Sequence, residues 1–422
     1  MSNSGLAKST NLVTTLAECR ISKDQNLRTI LSLGDSALTG IFPSSLGQKV
    51  PTGPLELVWS EKGRLLQLGH SFDTKILYGE NYGYRSGLNA AMVAHLKAKV
   101  TELERLADLK AGDWVLDIGS NDATTLKSYQ TGGIHRVGID PTGKKFESHY
   151  PADIRLVPEL FSAEAFARIS RGSRAKLVTS IAMFYDLEDP IGFARQVREI
   201  LALDGIWHLE QSYMPSMLRM NSYDTICHEH LEYYSLGNIR DIMEKADLRI
   251  LDVVMNSVNG GSFAVTVTPA GNLAAQGNPA LVNWLLEQED RMGFGTGRPF
   301  LDFAERVERH RVDLSGLIQA LKADGKKILG YGASTKGNVI LQYCGLGPKE
   351  ILAIAEVNED KFGCFTPGTG IPIISEAEAR AMKPDYFLLL PWHFKEGILR
   401  REAEYRERGG RFIVPFPEIE IL

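Results

Sequence analysis

The 422-residue sequence lacks the features that mark several specialised classes of protein. No run approaches the ~20 apolar residues of a membrane span, and the first ten residues, MSNSGLAKST, do not form a charged and apolar signal segment. The formal net charge is only −5, and Lys and Arg are interspersed with Asp and Glu, so the basic stripe of a nucleic-acid binder is missing. We therefore expect a cytoplasmic protein that acts on a small molecule, with neither nucleic acid nor membrane as a partner.

Cysteine is also scarce. Cys19, Cys227, Cys344 and Cys364 are widely scattered, whereas a disulfide framework needs dense cysteines in a short chain. Free thiols are therefore predicted.

The length exceeds what a single hydrophobic core usually serves. Residues 1–75 contain short apolar stretches broken by turn signals, which predicts a small β-rich module. In residues 76–270, apolar runs alternate with helical stretches, which is typical of a mostly parallel, doubly wound sheet. Residues 271–422 start with a polar, Gly-rich bridge to about residue 298 and a helix that ends at Gly325, and then repeat this pattern. The predicted fold class is α/β, with two Rossmann-like units behind the β-rich module.

One turn carries the pattern of a cofactor site. In VLDIGSNDATTL, which covers residues 115–126, a predicted strand ends with Asp117 and Gly119, and Asn121 and Asp122 follow in the turn. Such a turn brings backbone N–H groups at a helix N-terminus close to a ligand. Tight strand-to-helix packing would explain the glycine equally well.

Two further features favour a nucleoside cofactor without phosphates. Asp140, followed by Pro141, ends the next strand at the distance of the acid that binds ribose hydroxyls. The full GxGxxG fingerprint is absent, and Asn121 stands where a dinucleotide's pyrophosphate would need the second glycine. The turn is therefore interpreted as the S-adenosylmethionine site of a class I methyltransferase domain.

Five motifs occur in one order along the chain: VLDIGSND, SIAMFYDLEDP, SYDTICHEHLEYYSL, NGGSF and GYGASTKGN. With them the whole chain resembles the three-domain sugar C-methyltransferases that act on nucleotide-linked ketosugars. The resemblance implies an N-terminal zinc-binding module, a central S-adenosylmethionine domain and a C-terminal Rossmann-like domain that helps to hold a nucleotide-sugar. It also implies methyl transfer to carbon 3, next to the 4-keto group of a deoxysugar.

The N-terminal module departs from that family. Where the family has two CxxC pairs, this chain has Cys19 and Ser22, then Ser60 and Gly63. Zinc held by four thiolates needs all of them, so no metal is expected here. A second departure is Ala123 in place of the usual glycine. If that position needs a positive φ, alanine costs about 1 kcal/mol and could weaken cofactor affinity.

Carbon methylation requires a general base that removes a proton beside a carbonyl. By resemblance that base is His230 in CHEHLEYY, with Glu229 as its orienting or substrate-binding neighbour and His228 as a substrate-binding candidate. A core or surface role for these histidines stays open. The family often has a tyrosine where Cys227 stands, and a thiol cannot replace a phenol as donor to the enolate over the same reach.

The remaining candidates follow from the other motifs. Tyr82 is the catalytic candidate in the loop NYGYRSG and Tyr84 a substrate-binding one, and packing is an equal alternative for both. After the strand in SIAMFYDLEDP, Ala182 and Tyr185 are expected at the cofactor and Asp186 at the substrate or at a helix N-terminus. In the C-terminal unit, nucleotide-sugar contacts are expected from Gly332, Ser334, Lys336, Asn338 and Asn358. Oligomeric state is left open, as are two alternatives: methylation at oxygen or nitrogen, and a non-catalytic binding protein on a degenerate scaffold.

Overall fold

The computed structural model describes residues 13–77 and 84–422. Its N-terminal part is built from short strands: β1 (Val13–Thr15), β2 (Leu27–Ala37), β3 (Thr52–Ser60), β4 (Leu65–Leu68) and β5 (His70–Phe72), followed by the one-turn helix α1 (Thr74–Leu77). Strands β2, β3 and β4 are antiparallel neighbours in one sheet, and β1 pairs with β5. The described part of the module is therefore β-rich, as predicted.

The central unit alternates helices and strands. Its elements are α2 (Ala90–Leu106), β6 (Trp114–Ile118), α3 (Thr124–Lys127), β7 (His135–Ile139), β8 (Ile154–Val157), α4 (Ala163–Ser170), β9 (Ala175–Ile181), α5 (Pro190–Ile200), β10 (Leu201–Ser212), α6 (Met214–Arg219), β11 (Glu232–Tyr233), α7 (Leu236–Lys245), β12 (Leu248–Asn256) and β13 (Ser262–Pro269). Seven strands form one sheet in the order β12-β13-β10-β9-β6-β7-β8. Only β13 runs antiparallel to its neighbours, so the carboxyl ends of the other six strands share one edge, where α/β ligands bind.

The short strand β11 leaves the central unit and joins the N-terminal sheet. Glu232 lies opposite Gln67 and Tyr233 opposite Leu66 in an antiparallel pair with β4. The backbone N–H of Leu68 also donates to the carbonyl of Leu231, at 2.8 Å. The N-terminal module and the segment that carries the candidate base are therefore joined by one sheet.

The C-terminal unit is a second α/β layer. It consists of α8 (Pro279–Arg291), α9 (Arg298–Ala323), β14 (Ile328–Tyr331), α10 (Thr335–Tyr343), β15 (Ile354–Glu356), β16 (Ile373–Ser375), α11 (Glu376–Ala381), β17 (Tyr386–Leu389), α12 (Lys395–Arg401), α13 (Ala403–Glu407), β18 (Arg411–Val414) and β19 (Glu420–Ile421). The sheet order is β16-β15-β14-β17-β18-β19, parallel except for β19. The predicted α/β fold class with two Rossmann-like sheets is confirmed. Within residues 13–77 and 84–422, the helices are all too short or too polar to span a bilayer.

The bridge expected over residues 270–298 is wrong in its central part, where α8 forms. Asn278 caps this helix by accepting from the backbone N–H of Leu281, and Pro279 starts it. Val282 and Leu285 are buried on its inner face. The local composition is polar because only that narrow apolar face packs against the central unit.

The four positions that match the zinc-binding cysteines of the family, 19, 22, 60 and 63, do come together. The hydroxyl oxygens of Ser22 and Ser60 lie 3.3 Å apart, and Ser60 accepts from the backbone N–H of Gly63 at 3.1 Å. A Cβ atom on Gly63 would lie 2.6 Å from the sulfur of Cys19. Ser60 also donates to Asp24 at 3.3 Å. One thiol with two hydroxyls does not fit a four-thiolate zinc site, and hydrogen bonds occupy the space that the metal would need.

We predict that the purified protein contains no stoichiometric zinc, because its N-terminal module is held by these hydrogen bonds and by apolar packing. Metal analysis should find far less than one zinc per chain, and EDTA should leave the melting temperature unchanged. The triple variant Ser22→Cys/Ser60→Cys/Gly63→Cys is the positive control, because it restores four converging thiols. One tightly held zinc per wild-type chain would contradict the prediction.

Candidate active site

The cofactor turn follows strand β6 at the shared carboxyl edge of the central sheet. Gly119 has φ +74°, and its N–H donates to the carbonyl of Ile139 on β7 at 2.9 Å. Asn121 (φ +48°) and Ala123 (φ +61°) are also left-handed. Position 123 therefore does adopt a positive φ, and a non-glycine residue there costs about 1–2 kcal/mol. The Ala123 side chain is buried in the core, so the strain acts on the protein rather than on a ligand contact.

Asp140, at the end of β7, fixes the shape of this turn. One carboxylate oxygen accepts from the backbone N–H of Asn121 at 2.7 Å, and the other accepts from the backbone N–H of Thr142 at 2.6 Å. Pro141, between them, is exposed. The acid that the sequence places at this strand end therefore lies directly against the turn.

The turn region is strongly acidic. Asp117, Asp122 and Asp140 are all buried at the ends of two neighbouring strands. Burial raises the pKa of Asp117 to about 7, although Thr179 donates to its carboxylate at 2.6 Å. Arg85 approaches this group, with its Nε 3.9 Å from an oxygen of Asp122. Such a set of acceptors suits a ligand that has hydroxyls to donate and a positive charge, and it disfavours phosphates.

The segment that follows the tyrosine loop packs onto the cofactor turn. Backbone N–H groups of Ser86 and Gly87 donate to the side chains of Asn121 (3.0 Å) and Asp122 (3.1 Å). The Asn121 amide in turn donates to the carbonyl of Tyr84, whose side chain is half exposed. Tyr82 lies outside the described residues. The loop and the turn are therefore in direct contact.

The end of strand β9 reaches the candidate base. Ala182 is exposed, with φ +55°, and its N–H donates to the carbonyl of Glu210 at 2.7 Å. Tyr185 and Asp186 belong to a 3-10 turn directly after it. The ring of Tyr185 meets the His230 ring edge-on, with centroids 4.3 Å apart. The structure therefore brings Tyr185 and His230 together, and it ties Ala182 to the end of β10.

His230 is held in one tautomer. Its Nδ1 lies 2.8 Å from the carbonyl oxygen of Thr225. Because a carbonyl can only accept, Nδ1 carries the hydrogen and Nε2 keeps its lone pair. Burial, with a further contribution from the charge of Lys336, lowers the pKa of His230 to about 4. At neutral pH this imidazole is a neutral acceptor. It lines a small cavity with Tyr185, Ser212, Met214, Met217, Thr225, Glu232 and Tyr233.

The two residues that precede His230 differ in their surroundings. Glu229 is partly buried, one of its oxygens has no hydrogen-bond partner among the described residues, and burial raises its pKa. His228 is completely buried, with Nε2 3.2 Å from the carbonyl of Gly53 and its ring edge-on to Phe72. Burial lowers the pKa of His228 to about 4. These contacts place His228 in the interface with the N-terminal module, apart from the cavity lined by His230.

The C-terminal turn is likewise engaged in internal contacts. Gly332 has φ +84°, and Ser334 caps α10 by accepting from the backbone N–H of Gly337 at 3.0 Å. The Asn338 amide is buried and donates to the carbonyl of Thr39 at 2.8 Å, which connects α10 to the N-terminal module. Asn358 caps a 3-10 turn by accepting from the N–H of Asp360. Lys336 extends towards the central unit and donates to the carbonyl of Asn259 at 3.0 Å.

Sequence reasoning missed three polar groups, of which Glu356 and Trp392 follow the carboxyl ends of strands and Asp224 lies in a 3-10 turn. Glu356 ends β15, and its carboxylate accepts from the backbone N–H of Ala333 at 2.7 Å, as Asp140 does for the first turn. Asp224, in the motif with His230, is completely buried and accepts from the indole of Trp392 at 2.8 Å. The rule that ligand-binding side chains follow the carboxyl ends of parallel strands could have found Glu356 and Trp392.

Three family models match successive parts of the chain: "Putative zinc binding domain" (residues 19–78), "Methyltransferase domain" (92–253) and "C-methyltransferase C-terminal domain" (257–417). The chain is 33% identical over 418 residues to C-methyltransferase NovU of Streptomyces niveus, with 98% of each chain covered. Among solved structures, it is similar to an S-adenosylmethionine-dependent methyltransferase from Clostridium acetobutylicum (11% identity, 42% of this chain and 92% of that chain, TM-score 0.32). It is also similar to magnesium protoporphyrin IX methyltransferase from Synechocystis (13% identity, 42% and 78% covered, TM-score 0.30).

The burial of His228 predicts a pH-dependent difference in stability. The pKa of His228 is about 4 in the folded chain and 6.5 in the unfolded chain. Between pH 4 and 6.5 the unfolded chain therefore binds more protons than the folded chain. Lowering the pH from 6.5 to 4 should therefore destabilise the wild type relative to His228→Gln, by at most about 1.4 kcal/mol per pH unit. Urea unfolding of both proteins measures this difference. The difference in free energy of unfolding should not change between pH 7 and 8. If it also stays unchanged down to pH 4, the prediction is wrong.

Proposed function

Because the chain belongs to the C-methyltransferase family, whose members use S-adenosylmethionine, we propose that it methylates carbon 3 of a nucleotide-linked 4-keto-deoxysugar through an enolate. The observation that carries this proposal is a neutral histidine, His230, whose tautomer is fixed with Nε2 available as an acceptor. Family membership disfavours the alternatives of oxygen or nitrogen methylation and of a non-catalytic scaffold.

S-adenosylmethionine would supply an electrophilic methyl group on a positively charged sulfur. In the proposal it is held by Asp117, Gly119, Asn121, Asp122, Asp140, Pro141, Ala182 and Tyr185. The acidic character of the turn supports this assignment, since three buried carboxylates favour a cationic nucleoside and disfavour the phosphates of a dinucleotide.

The protein's own chemistry begins with proton removal. Nε2 of His230 accepts the proton on the carbon next to the carbonyl, and the bonding electrons form the enolate. Thr225 supports this role, because its carbonyl orients the ring through Nδ1. With a pKa of about 4, His230 is unprotonated at neutral pH but is a weak base. Because a weak base makes proton removal unfavourable, the enolate oxygen needs strong stabilisation.

The nucleotide-sugar would span both α/β units. The sugar end is assigned to Glu229, Tyr82, Tyr84, Asp186 and His228, and the nucleotide end to Gly332, Ser334, Lys336, Asn338 and Asn358. Contact between α10 and the 3-10 turn Tyr223–Thr225 supports such a span, because it links the C-terminal turn to the segment of the base. The internal hydrogen bonds of His228 and Asn338 to carbonyls of the N-terminal module favour a structural contribution of these two residues.

The first prediction from this proposal concerns His230. In His230→Gln, both methyl transfer and hydrogen exchange at the substrate carbon should fall by about 10²–10⁴-fold, because the proton acceptor is lost. NMR in D₂O measures exchange, and the product spectrum shows whether the new methyl group is bonded to carbon. His135→Gln, at the amino end of β7 and so at the opposite edge of the sheet, is the control and should be fully active. Full exchange in His230→Gln would remove this residue from the role.

The second prediction concerns Asp140. Asp140→Asn should weaken S-adenosylmethionine binding by roughly 10-fold or more, because an amide NH₂ would face the N–H of Asn121 and open the turn. Isothermal titration calorimetry measures the affinity. Asp204→Asn, an exposed acid on β10, is the control. Unchanged affinity in Asp140→Asn would show that this acid does not organise the cofactor site.

A further inference from the structure

Polar groups from both α/β units meet around the 3-10 turn Tyr223–Thr225, whose Thr225 lines the cavity of His230. Lys336 from the C-terminal unit donates to the carbonyl of Asn259 in the central unit, at 3.0 Å. Asp224 is completely buried, and one of its oxygens has no hydrogen-bond partner among the described residues. His393 also has a buried ring nitrogen, Nδ1, without such a partner. We call Lys336, Asp224, His393 and the Asn259 carbonyl the Lys336 cluster.

The cluster is connected to the candidate base in two ways. Asp224 directly precedes Thr225, whose carbonyl oxygen fixes the ring of His230. The charge of Lys336 lowers the pKa of both His230 and His393, and it opposes the burial that raises the pKa of Asp224. Helix α10, which carries Lys336, also packs against the 3-10 turn Tyr223–Thr225 that contains Asp224.

Close packing fixes the place of the lysine. Asn259 has φ +54° in a turn with two glycines, Gly260 and Gly261. A Cβ atom on Gly260 would lie 2.8 Å from the ring of Trp392, and one on Gly261 would lie 2.7 Å from the Cβ of Ser216. The turn therefore packs between the central and C-terminal units, and the carbonyl of Asn259 accepts a hydrogen bond from Lys336.

The donor that the family often places at position 227 is a tyrosine, and this chain has Cys227 there. Cys227 is buried, and burial raises its pKa, so it remains a neutral thiol and a weak donor. A lysine ammonium has three N–H groups, and the Asn259 carbonyl uses one of them. Burial lowers the pKa of Lys336, and among the described residues its other two N–H groups are left for a ligand near the segment of His230.

We propose that Lys336 donates a hydrogen bond to the carbonyl oxygen of the substrate and stabilises the enolate that His230 generates. This inference rests on the proposed function and gives Lys336 a place at the reacting end of the substrate instead of at the nucleotide phosphates. The C–H bond breaks and its proton moves to Nε2 of His230. The electron pair forms the carbon–carbon double bond, and the carbonyl oxygen becomes an anion paired with the ammonium group. No oxidant or reductant takes part.

The test is hydrogen exchange at the substrate carbon, followed by NMR in D₂O with the full-length protein and S-adenosylhomocysteine. The probes are nucleoside-diphosphate-linked 4-keto-deoxyhexoses that differ in their base. At saturating substrate, Lys336→Met should lose about 10²–10³-fold in the exchange rate, as expected for an oxyanion donor. Lys336→Arg keeps a cation and should recover part of the rate.

The matched control is Lys361→Met. Lys361 is a second lysine near the same turn, but its ammonium donates to the carbonyl of Ala333 at 2.7 Å and lies 4.5 Å from the ring centre of Phe42. This variant should keep the exchange rate at saturation. Circular dichroism and S-adenosylmethionine affinity report whether each variant is folded.

Two results would overturn the inference, and they differ. If Lys336→Met only raises KM and exchanges at the wild-type rate when saturated, the lysine binds the phosphates and the inference fails alone. If the wild-type protein neither exchanges nor methylates any of the ketosugars at carbon, the proposed function fails with it.

Discussion

The pairing of β11 with β4 holds the candidate active site together. Two residues after His230, the chain enters the N-terminal sheet as the antiparallel strand β11. Arg20 reinforces this pairing from the buried side, since it donates to the carbonyl of Leu68 at 3.0 Å and lies 3.5 Å from the carboxylate of Glu232. The N-terminal module therefore positions His230, which gives a physical reason why the module is retained although three of its four metal-binding cysteines are missing. A buried ion pair adds little net stability, but it disfavours any other register of so short a strand.

The two ends of the site carry opposite charge. Three buried acids, Asp117, Asp122 and Asp140, surround the cofactor turn, whereas in our proposal Lys336 supplies an ammonium group to the substrate beside His230. A cationic methyl donor and an anionic enolate would each meet the charge that attracts it, and each would be repelled by the other half of the site. This separation comes from different units, because the carboxylates belong to the central sheet and the lysine to the C-terminal one.

Local patterns predicted most of the fold, and long-range contacts account for what they missed. The alternation of apolar runs and helical stretches gave both α/β sheets, because parallel strands are buried on both faces. No periodicity could reveal β11, since a two-residue strand is defined only by its partner, about 165 residues earlier in the chain. The same holds within the site. Asp140 and Asn121 were predictable from spacing, whereas the burial of His228 against Gly53 and the reach of Lys336 to Asn259 depend on how separate units pack.

The energetics of the base connect these observations. A pKa of about 4 instead of 6.5 makes His230 a weaker proton acceptor by about 3 kcal/mol, mostly because the charged ring would lose water. Lys336 adds to this penalty as long as no negative charge develops near it. Once the enolate oxygen forms, the same ammonium group stabilises that oxygen, and a preorganised donor of this kind contributes about 3–4 kcal/mol. The two effects are of similar size, so the stabilisation of the enolate oxygen by Lys336 would offset, in the transition state, a weakness of the base that comes mostly from burial. The resting site thereby keeps His230 neutral and available, and proton transfer becomes favourable only with a carbonyl oxygen beside Lys336.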